Sequence, residues 1–570
     1  MGPRRARVAA ATVAVLGLSA CSGPAADRPP LELRPVSASG SWNLAGSSDT
    51  TAARPMPVES GWGPSDAEIA RATSLVAGLT LRERAGQVIV ASYSGTGAPA
   101  EMVDRLHLGG VLPFSGNVTS AAQIAGVNRT IQRSAARAGR RWTVLIGVDQ
   151  EGGQVARVSA GATSFPTFMS TGAAGDPDLT RQVYAASGGE LVGLGFTVDF
   201  APDADVTSGP SDPAIGARSA GSSAERVAAQ VLAASKGFAA AGVVPVIKHF
   251  PGHGSVTTDS HLGLPVQRRS RAALDDVDLV PFRRAVAAGA SAVMVGHLDV
   301  RAIDPRMPSS LSHAVVTGLL RDRIGFHGVA FTDSLQMKAV TDRFGGAASA
   351  VRALNAGQDV LLMPPDPRAA RDGIVAAVRD GRLDQARLDQ AAIRMVALLL
   401  HQRGETHRSR PAGSSGAVSA RLSAAAITSV SGACSGRLVG GSVRVTGPSS
   451  AVTRFRSAAA TAGLRIAPPP SKPAKPTKTT KSKKKQQPKP PVPPTTVRLV
   501  GYPSPSTSGD VVVAMDTPYV LGRSSARVAK LATFGETPGA MSALVSVLLG
   551  RTTAPGHLPV PVAGVTRTGC

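Results

Sequence analysis

Eight short apolar runs between residues 87 and 363 constrain the fold of this 570-residue chain more than any other feature. The runs are rich in β-branched residues, which predicts buried strands. They lie at 87–92, 110–114, 143–148, 196–200, 243–247, 292–295, 329–331 and 359–363. Amphipathic helical stretches separate them, for example 120–138, 224–240 and 269–288. Alternating strands and helices form parallel sheets, and eight such units predict an α/β fold of the (β/α)₈ TIM-barrel type. An open doubly wound sheet is the alternative.

Polar residues follow several of these runs at the point where the predicted strand ends. Asp149 follows the third run, Arg218 lies in the loop after the fourth, and Lys248 and His249 follow the fifth. Asp333 follows the seventh. Because active sites of such barrels lie at the carboxyl ends of the strands, this placement predicts a polar site at the mouth of the barrel.

The stretch 248–261 reads Lys-His-Phe-Pro-Gly-His-Gly-Ser-Val-Thr-Thr-Asp-Ser-His, and its proline and glycines prevent a helix. Its histidines and Asp259 could ligate a metal, but no HExxH or CxxC motif accompanies them. The chain contains no Gly-x-Ser-x-Gly pentapeptide of a serine hydrolase. Proton transfer by Asp259 and His261 is the remaining chemistry, with Lys248 and His249 donating hydrogen bonds to a polar substrate. We therefore predict acid/base catalysis without a metal or another cofactor.

Asp333 is the candidate for a second catalytic group. It follows Gly-Val-Ala-Phe-Thr at 328–332, and the nearest basic residue along the chain after it is Lys338. Its carboxylate could cap a helix that begins near Leu335. The functional interpretation is a carboxylate nucleophile, which attacks the anomeric carbon of a sugar in retaining glycoside hydrolysis.

Four motifs together resemble glycoside hydrolase family 3, above all its bacterial β-N-acetylglucosaminidase branch. They are Ile-Gly-Val-Asp-Gln-Glu-Gly-Gly-Gln-Val-Ala-Arg at 146–157, Ile-Gly-Ala-Arg-Ser at 215–219, the stretch 248–261, and 328–334. The resemblance covers residues 65–405. It implies a retaining exo-β-N-acetylglucosaminidase that removes terminal N-acetylglucosamine from peptidoglycan-derived glycans through a covalent glycosyl-enzyme. A β-N-acetylglucosaminide phosphorylase and a non-catalytic wall-binding lipoprotein remain alternatives.

The resemblance also implies roles for individual residues. Asp333 matches the nucleophile, His261 the acid/base and Asp259 the carboxylate that pairs with it. The residues that match those holding the terminal sugar are Asp149, Arg157, Arg218, Lys248 and His249. Gln154 stands where the family often has arginine, which affects secondary substrate contacts and not the reaction.

The N-terminus predicts export. Residues 1–20 combine a basic start with an apolar centre, as in a signal peptide, and end Leu-Ser-Ala before Cys21. This ending resembles the lipobox of bacterial lipoproteins and makes Cys21 the predicted lipid attachment site. Residues 21–65 are rich in Pro, Ser, Ala and Gly and predict a flexible tether. We expect an exported protein, lipid-anchored at the outer face of the bacterial cell membrane.

The C-terminal part predicts a second domain. After the catalytic domain at 66–408 and a Ser/Gly/Pro linker, strands and helices in 416–570 predict a smaller α/β sandwich with a structural role. The Pro/Lys-rich segment 468–494 interrupts it and predicts disorder. With the net charge of +24, this segment could attract anionic wall polymers; nucleic acid is not an expected partner of an exported chain. Cys434 and Cys570 are the cysteines left after Cys21, and we predict a disulfide between them.

Overall fold

The computed structural model describes residues 58–468, 493–501 and 503–570. The predicted signal peptide 1–20, Cys21, nearly all of the tether 21–65 and nearly all of the Pro/Lys-rich segment 468–494 lie outside the described residues. Trp62 belongs to the predicted tether but is only 2% exposed, and it packs in the core of the barrel domain. Packed structure therefore begins before residue 65.

A closed ring of parallel strands forms the N-terminal domain. Its strands are β1 Ile89–Ser92, β2 Gly110–Leu112, β3 Leu145–Val148, β6 Val198–Asp199, β7 Val244–Pro245 with β8 Ile247–Phe250, β10 Ala292–Val295, β12 Val329–Thr332 and β13 Leu361–Leu362. Neighbours pair in this order, β1 pairs with β13, and a parallel bridge between Phe331 and Val360 closes the ring. The predicted (β/α)₈ barrel is confirmed, and the open doubly wound sheet is wrong. β8 extends through Lys248 and His249, which therefore lie within the strand rather than after it.

Two short pairs of strands lie outside the ring. β4 Gln150–Gly152 and β5 Val155–Ala156 form a hairpin directly after β3, and β9 Val266–Gln267 pairs with β11 Asp299–Val300. The helices of this domain are α1 Asp66–Ala77, α2 Leu81–Gln87, α3 Ala100–Leu106, α4 Ala121–Arg137, α5 Met169–Ala174, α6 Pro177–Gly193, α7 Ala224–Ala241, α8 Arg271–Ala273, α9 Leu279–Ala287, α10 Lys338–Thr341, α11 Gly346–Ala356, α12 Pro367–Arg379 and α13 Gln385–Gly404. π-helical turns occupy Leu274–Asp278 and Ala314–Arg323.

A buried carboxylate holds the last strand in the ring. Asp359 precedes β13 and lies within 3.2 Å of the guanidinium groups of Arg321, Arg387 and Arg394. Burial alone would raise the pKa of Asp359, but these three cations outweigh it and hold the pKa far below its ordinary value. Its carboxylate also accepts the Ala330 N–H at 3.0 Å, so the cluster connects β13 to its neighbour β12.

The segment between the domains is fastened to the barrel. Glu190, on α6, is only 3% exposed. Its carboxylate accepts hydrogen bonds from the backbone N–H groups of Gly413 and Ser415, both at 2.9 Å, and from the Thr163 hydroxyl at 2.6 Å. The predicted linker is therefore a bound strap on the barrel surface.

The C-terminal domain is a single six-stranded sheet in the order β14-β19-β18-β17-β15-β16. Its elements are α14 Gly416–Ala426, β14 Thr428–Ser431, β15 Ser442–Thr446, α15 Ser449–Thr461, β16 Arg465–Ile466, β17 Thr495–Val500, β18 Ser508–Ala514, α16 Val520–Arg523, β19 Ser525–Ala532 and α17 Pro538–Leu548. All strands run parallel except β14. One face packs on α15 and α17, and the other shares an apolar core with α5 of the barrel.

Cys434 and Cys570 form a disulfide in this domain, with their Cα atoms 5.6 Å apart. The bond connects the end of the chain to the segment after β14, across 136 residues of sequence. No helix in the described part of the chain is both long and apolar enough to cross a membrane.

Candidate active site

One pocket at the mouth of the barrel brings together every residue that the sequence assigns to catalysis or sugar binding. Its lining contains all eight of them: Asp149, Arg157, Arg218, Lys248, His249, Asp259, His261 and Asp333. Lys248 and His249 lie in the fifth strand of the ring, and the others lie in the segments that follow its third, fourth, fifth and seventh strands, yet the ring geometry brings them to one centre. The pocket has a volume of ≈ 180 Å³.

A network of alternating charges forms the floor of the pocket. Lys248 Nζ donates to Asp149 Oδ1 at 3.0 Å and lies 2.6 Å from Glu151 Oε1. Arg218 forms a two-pronged pair with Glu151, with both contacts at 2.8 Å. Arg157 lies 3.6 Å from Asp149 Oδ2, and its guanidinium covers the ring of Phe114 at 5.0 Å. Each cation is thus oriented by a carboxylate and keeps further N–H groups for a polar ligand.

Glu151 is the centre of this network although it is buried, at 4% exposure. Burial alone would raise its pKa, but Arg218 and Lys248 outweigh burial and hold the pKa of Glu151 far below its ordinary value. The same attraction, led by Asp149 and Glu151, raises the pKa of Lys248 above its ordinary value against the effect of burial. Glu151 and Lys248 are therefore both charged at neutral pH.

Two buried histidines lie beside this floor. His249 Nδ1 lies 2.7 Å from Asp205 Oδ2, and the His253 backbone N–H donates to Asp205 Oδ1 at 2.5 Å. Burial lowers the pKa of His249 to about 4 and that of His253 to about 3, so both rings are neutral at neutral pH. Asp205 accepts the Nδ1 proton of His249, which turns Nε2 of that ring toward the Arg218 guanidinium at 3.4 Å.

Asp333 lies directly after β12 and is partly buried. Burial alone would raise its pKa, but His297, His249, the Ser334 N–H and Lys248 outweigh burial and lower the pKa of Asp333 below its ordinary value. The carboxylate is therefore ionised at neutral pH, as a nucleophile must be. The alternative role as a helix cap is wrong, because the next helix, α10, begins at Lys338 with Met337 as its N-cap. Asp333 Oδ1 instead accepts the neighbouring Ser334 N–H at 2.7 Å.

Asp259 and His261 lie on an open loop above the pocket. Asp259 Oδ1 accepts the backbone N–H of His261 at 2.9 Å and lies 2.7 Å from Nδ1 of its ring. Burial works to raise the pKa of Asp259, but these bonds outweigh it and lower that pKa. The His261 side chain is 71% exposed and Leu262 beside it is 73% exposed. The loop thus presents an exposed His261 ring that is paired with a half-buried Asp259.

Four residues of the site are absent from the predicted set. Glu151 orients Arg218, and Asp205 orients His249. The backbone N–H of His253 donates to Asp205. His297, whose Nδ1 lies 2.6 Å from the Ser310 hydroxyl, lowers the pKa of Asp333. Their position at strand ends was a usable signal for Glu151, Asp205 and His297. Nothing in the sequence reveals that Glu151 has two cationic partners.

One group within the described residues has the composition of a metal site. Asp203, Asp205 and His249 are buried, and their ligand atoms lie within 4.8 Å of one another. Arg218 Nη2, however, lies 3.4 Å from both Asp203 Oδ2 and His249 Nε2. A metal cation there would be adjacent to a fixed guanidinium charge, so these residues fit a hydrogen-bonded support better than a metal centre.

Comparison with known proteins identifies the family of the barrel domain. Residues 80–398 match the model of the glycosyl hydrolase family 3 N-terminal domain, which places the barrel and its pocket in one class of enzyme. The chain belongs to this family, and it is a glycoside hydrolase.

Individual relatives extend the comparison. The chain is 35% identical over 325 residues to beta-hexosaminidase A of Pseudoalteromonas piscicida, covering 52% of this chain but only 54% of that protein. It is 34% identical over 367 residues to beta-hexosaminidase LpqI of Mycobacterium tuberculosis, covering 62% of this chain and 91% of that one. The solved family 3 β-N-acetylglucosaminidase from a Paenibacillus species superposes with a TM-score of 0.73 at 29% identity, covering 86% of this chain and 100% of that chain.

Proposed function

We propose that this protein is a retaining exo-β-N-acetylglucosaminidase that acts on β-N-acetylglucosaminides. One observation carries the proposal: an ionised Asp333 and the Asp259–His261 pair line the same pocket, above a floor of oriented cations. The family and the names of its relatives support this substrate class.

The first step forms the glycosyl-enzyme. An Asp333 oxygen attacks the anomeric carbon of the terminal sugar, and the bond from that carbon to the leaving oxygen breaks. His261 donates its proton to that oxygen, and Asp259 stabilises and orients the ring through Nδ1. Lys248 and Arg218, fixed by Glu151, donate hydrogen bonds to the sugar hydroxyl groups.

The second step releases the sugar. The neutral His261 removes a proton from water, the water oxygen attacks the anomeric carbon, and the bond to Asp333 breaks. The configuration at the anomeric carbon is retained because both displacements invert it. Asp333 returns to the carboxylate and His261 to its protonated form, so the enzyme is ready for another cycle.

The test compares chromogenic substrates and an active-site variant. The wild type should release 4-nitrophenol from the β-N-acetylglucosaminide and not from the β-glucoside. Asp333→Asn should abolish this release while the circular dichroism spectrum stays unchanged, because the substitution removes the charge and keeps the shape. A 2-fluoro sugar should label Asp333 covalently, as mass spectrometry would show. A label on another carboxylate would reassign the nucleophile.

The same assay separates the alternatives. Release of N-acetylglucosamine 1-phosphate in phosphate buffer would show a phosphorylase instead of a hydrolase. Absence of all turnover by the folded wild type would leave a non-catalytic wall-binding protein. The intact Asp333 and Asp259–His261 groups favour hydrolysis over this last role.

We extend the proposal to the cellular setting on the basis of the sequence alone. The signal-like start and Cys21 support an exported protein, anchored by lipid to the outer face of the bacterial membrane, with peptidoglycan fragments as substrates. The basic segment 468–494 supports an attraction to anionic wall polymers. Cys21→Ala should move the protein from the membrane fraction to the soluble fraction. Retention of the variant in the membrane fraction would refute the lipid anchor.

A further inference from the structure

A second cavity lies between the two domains, separate from the catalytic pocket. Its volume is ≈ 400 Å³, and it shares no lining residue with that pocket. The barrel contributes the β4–β5 hairpin and the segment 163–167. The C-terminal domain contributes residues just beyond the ends of four of its parallel strands, namely Pro448, Gly501, Asp516 and Glu536.

The cavity lies at the edge of the C-terminal sheet where open α/β sheets bind ligands. From β15 the chain proceeds to β16 on one side, and β17 then pairs on the other side of β15. The order of strands therefore reverses between β15 and β17, and ligands of such sheets bind beyond the carboxyl ends of the strands at this reversal. Pro448 follows β15 and Gly501 follows β17, and both line the cavity.

The charges around the cavity do not cancel. Glu536 pairs with Arg454 and accepts a hydrogen bond from the Ser450 hydroxyl at 3.1 Å. Asp516 has no such partner: no cationic side chain of the described residues lies within 4 Å of its carboxylate, and its buried Oδ1 accepts no hydrogen bond from them. Burial, partly opposed by a backbone hydrogen bond with Thr517, raises the pKa of Asp516 to about 6. The Asp516 carboxylate is thus a negative charge in the wall of the cavity that no cation of the described residues balances, and a cationic ligand in the cavity can balance it.

The hairpin connects this cavity to the sugar pocket. Successive residues of a strand point to opposite faces. Gln150, Gly152 and Ala156 line the interdomain cavity, whereas Glu151 and Arg157 line the catalytic pocket. A single hairpin is thus the wall between the two spaces, and a ligand on one face contacts the backbone that carries the sugar-binding charges on the other.

We propose that the interdomain cavity is a second ligand site. It binds a small polar molecule whose primary ammonium group donates a hydrogen bond to the Asp516 carboxylate. Occupancy of the cavity changes sugar binding in the catalytic pocket through the β4–β5 hairpin. The ammonium group balances the uncompensated charge of the Asp516 carboxylate. Two sources share this chemistry: an amino sugar without its acetyl group, and an amino acid, whose carboxylate the nearby Arg454 can receive.

Calorimetric titration of the full-length protein at pH 7.5 tests the proposal. The probes are glucosamine for the amino sugar and L-alanine for the amino acid. N-acetylglucosamine, which has no ammonium group, is the control ligand. We expect at least one amine to bind saturably. Asp516→Asn should weaken that binding roughly 10-fold or more, because a charge-assisted hydrogen bond is lost. Ser159→Trp, which fills the cavity from an exposed position, should weaken it as well.

Controls keep the outcomes distinct. Asp322→Asn makes the same charge change at an exposed position away from the cavity and should leave amine binding unchanged. N-acetylglucosamine should bind wild type and Asp516→Asn equally, which shows that the variant is folded. Failure of both amines to bind, or equal amine binding by wild type and Asp516→Asn, would overturn the site. Amine binding that leaves KM for the chromogenic substrate unchanged would overturn the coupling through the hairpin.

Discussion

Replacement of Glu151 by glutamine probes how the sugar-binding cations are held. Glu151 accepts three charge-assisted contacts at 2.6–2.8 Å, two from Arg218 and one from Lys248. Glutamine keeps one acceptor oxygen and places an amide NH₂ group against a cationic donor. The variant therefore loses the negative charge and at least one of the three contacts.

The structure allows an estimate of the cost. Removal of one partner from a buried ion pair costs about 3–5 kcal/mol. Because Glu151 is the carboxylate that Lys248 and Arg218 share, its loss loosens both cations, and we expect part of this cost in catalysis. A roughly 100-fold fall in kcat/KM corresponds to about 2.7 kcal/mol of transition-state binding. The free energy of unfolding should also fall.

Glu190→Gln is the matched control. Glu190 is a buried glutamate of the same barrel, and it accepts several hydrogen bonds from the strap between the domains, but it does not line the catalytic pocket. We expect Glu190→Gln to lower the free energy of unfolding in urea while kcat/KM on 4-nitrophenyl β-N-acetylglucosaminide stays within about threefold of wild type. Glu151→Gln should lower both quantities.

Two results would refute this reasoning. Unchanged kcat/KM in Glu151→Gln would mean that Lys248 and Arg218 do not need Glu151 to hold the sugar. An equal loss of kcat/KM in Glu151→Gln and Glu190→Gln would mean that general destabilisation of the barrel explains the effect.

Three further predictions concern other parts of the chain. His261→Ala should lower kcat/KM on a disaccharide by about 10²–10⁴-fold. The rate of the glycosylation step with a dinitrophenyl glycoside should fall far less, since that leaving group needs no proton. Equal losses on both substrates would assign His261 to binding. Cys434→Ser should lower the unfolding free energy by about 2–5 kcal/mol, as urea titration measures, without changing kcat/KM; an unchanged urea midpoint would contradict this. Asp359 has a lowered pKa, so its stabilisation is present above its unfolded pKa of about 3.9 and is lost as the pH falls. Asp359→Asn should thus lower the unfolding free energy at pH 7, and urea titrations of the variant and the wild type at pH 7 and pH 3 measure this. An unchanged unfolding free energy at pH 7 would refute the role of Asp359.

The barrel could be predicted from the sequence because its strands are continuous apolar runs. The predicted run 292–295 is the observed β10, and the other predicted strands lie within a few residues of the observed ones. A strand buried on both faces needs apolar residues at every position, so its pattern is strong. β14 of the second domain, in contrast, reads Thr-Ser-Val-Ser, and a single valine makes no apolar run that would predict a strand.

The site could be predicted only in part. Asp333, Asp259 and His261 were found because their positions and the family resemblance coincide. The pairing of Glu151 with Lys248 joins residues 97 positions apart in the sequence, and only the closed ring brings them together. Likewise, the exposed fraction of His261 depends on how the loop leaves β8, and no local pattern encodes that direction.

The two proposed catalytic groups, Asp333 and His261, lie in parts of the protein that differ in local stability. Asp333 directly follows β12, a strand that is paired on both sides in the ring, so moving it out of position requires the barrel itself to open. The loop of His261 is held by a few long contacts, among them the His253–Ser260 bond at 3.3 Å and the Ala339 N–H to Ser260 at 3.4 Å. Local opening of this loop costs far less than global unfolding. On gentle heating, hydrolysis would therefore cease while the amide protons of the barrel strands are still protected from exchange, and cooling would restore it without refolding.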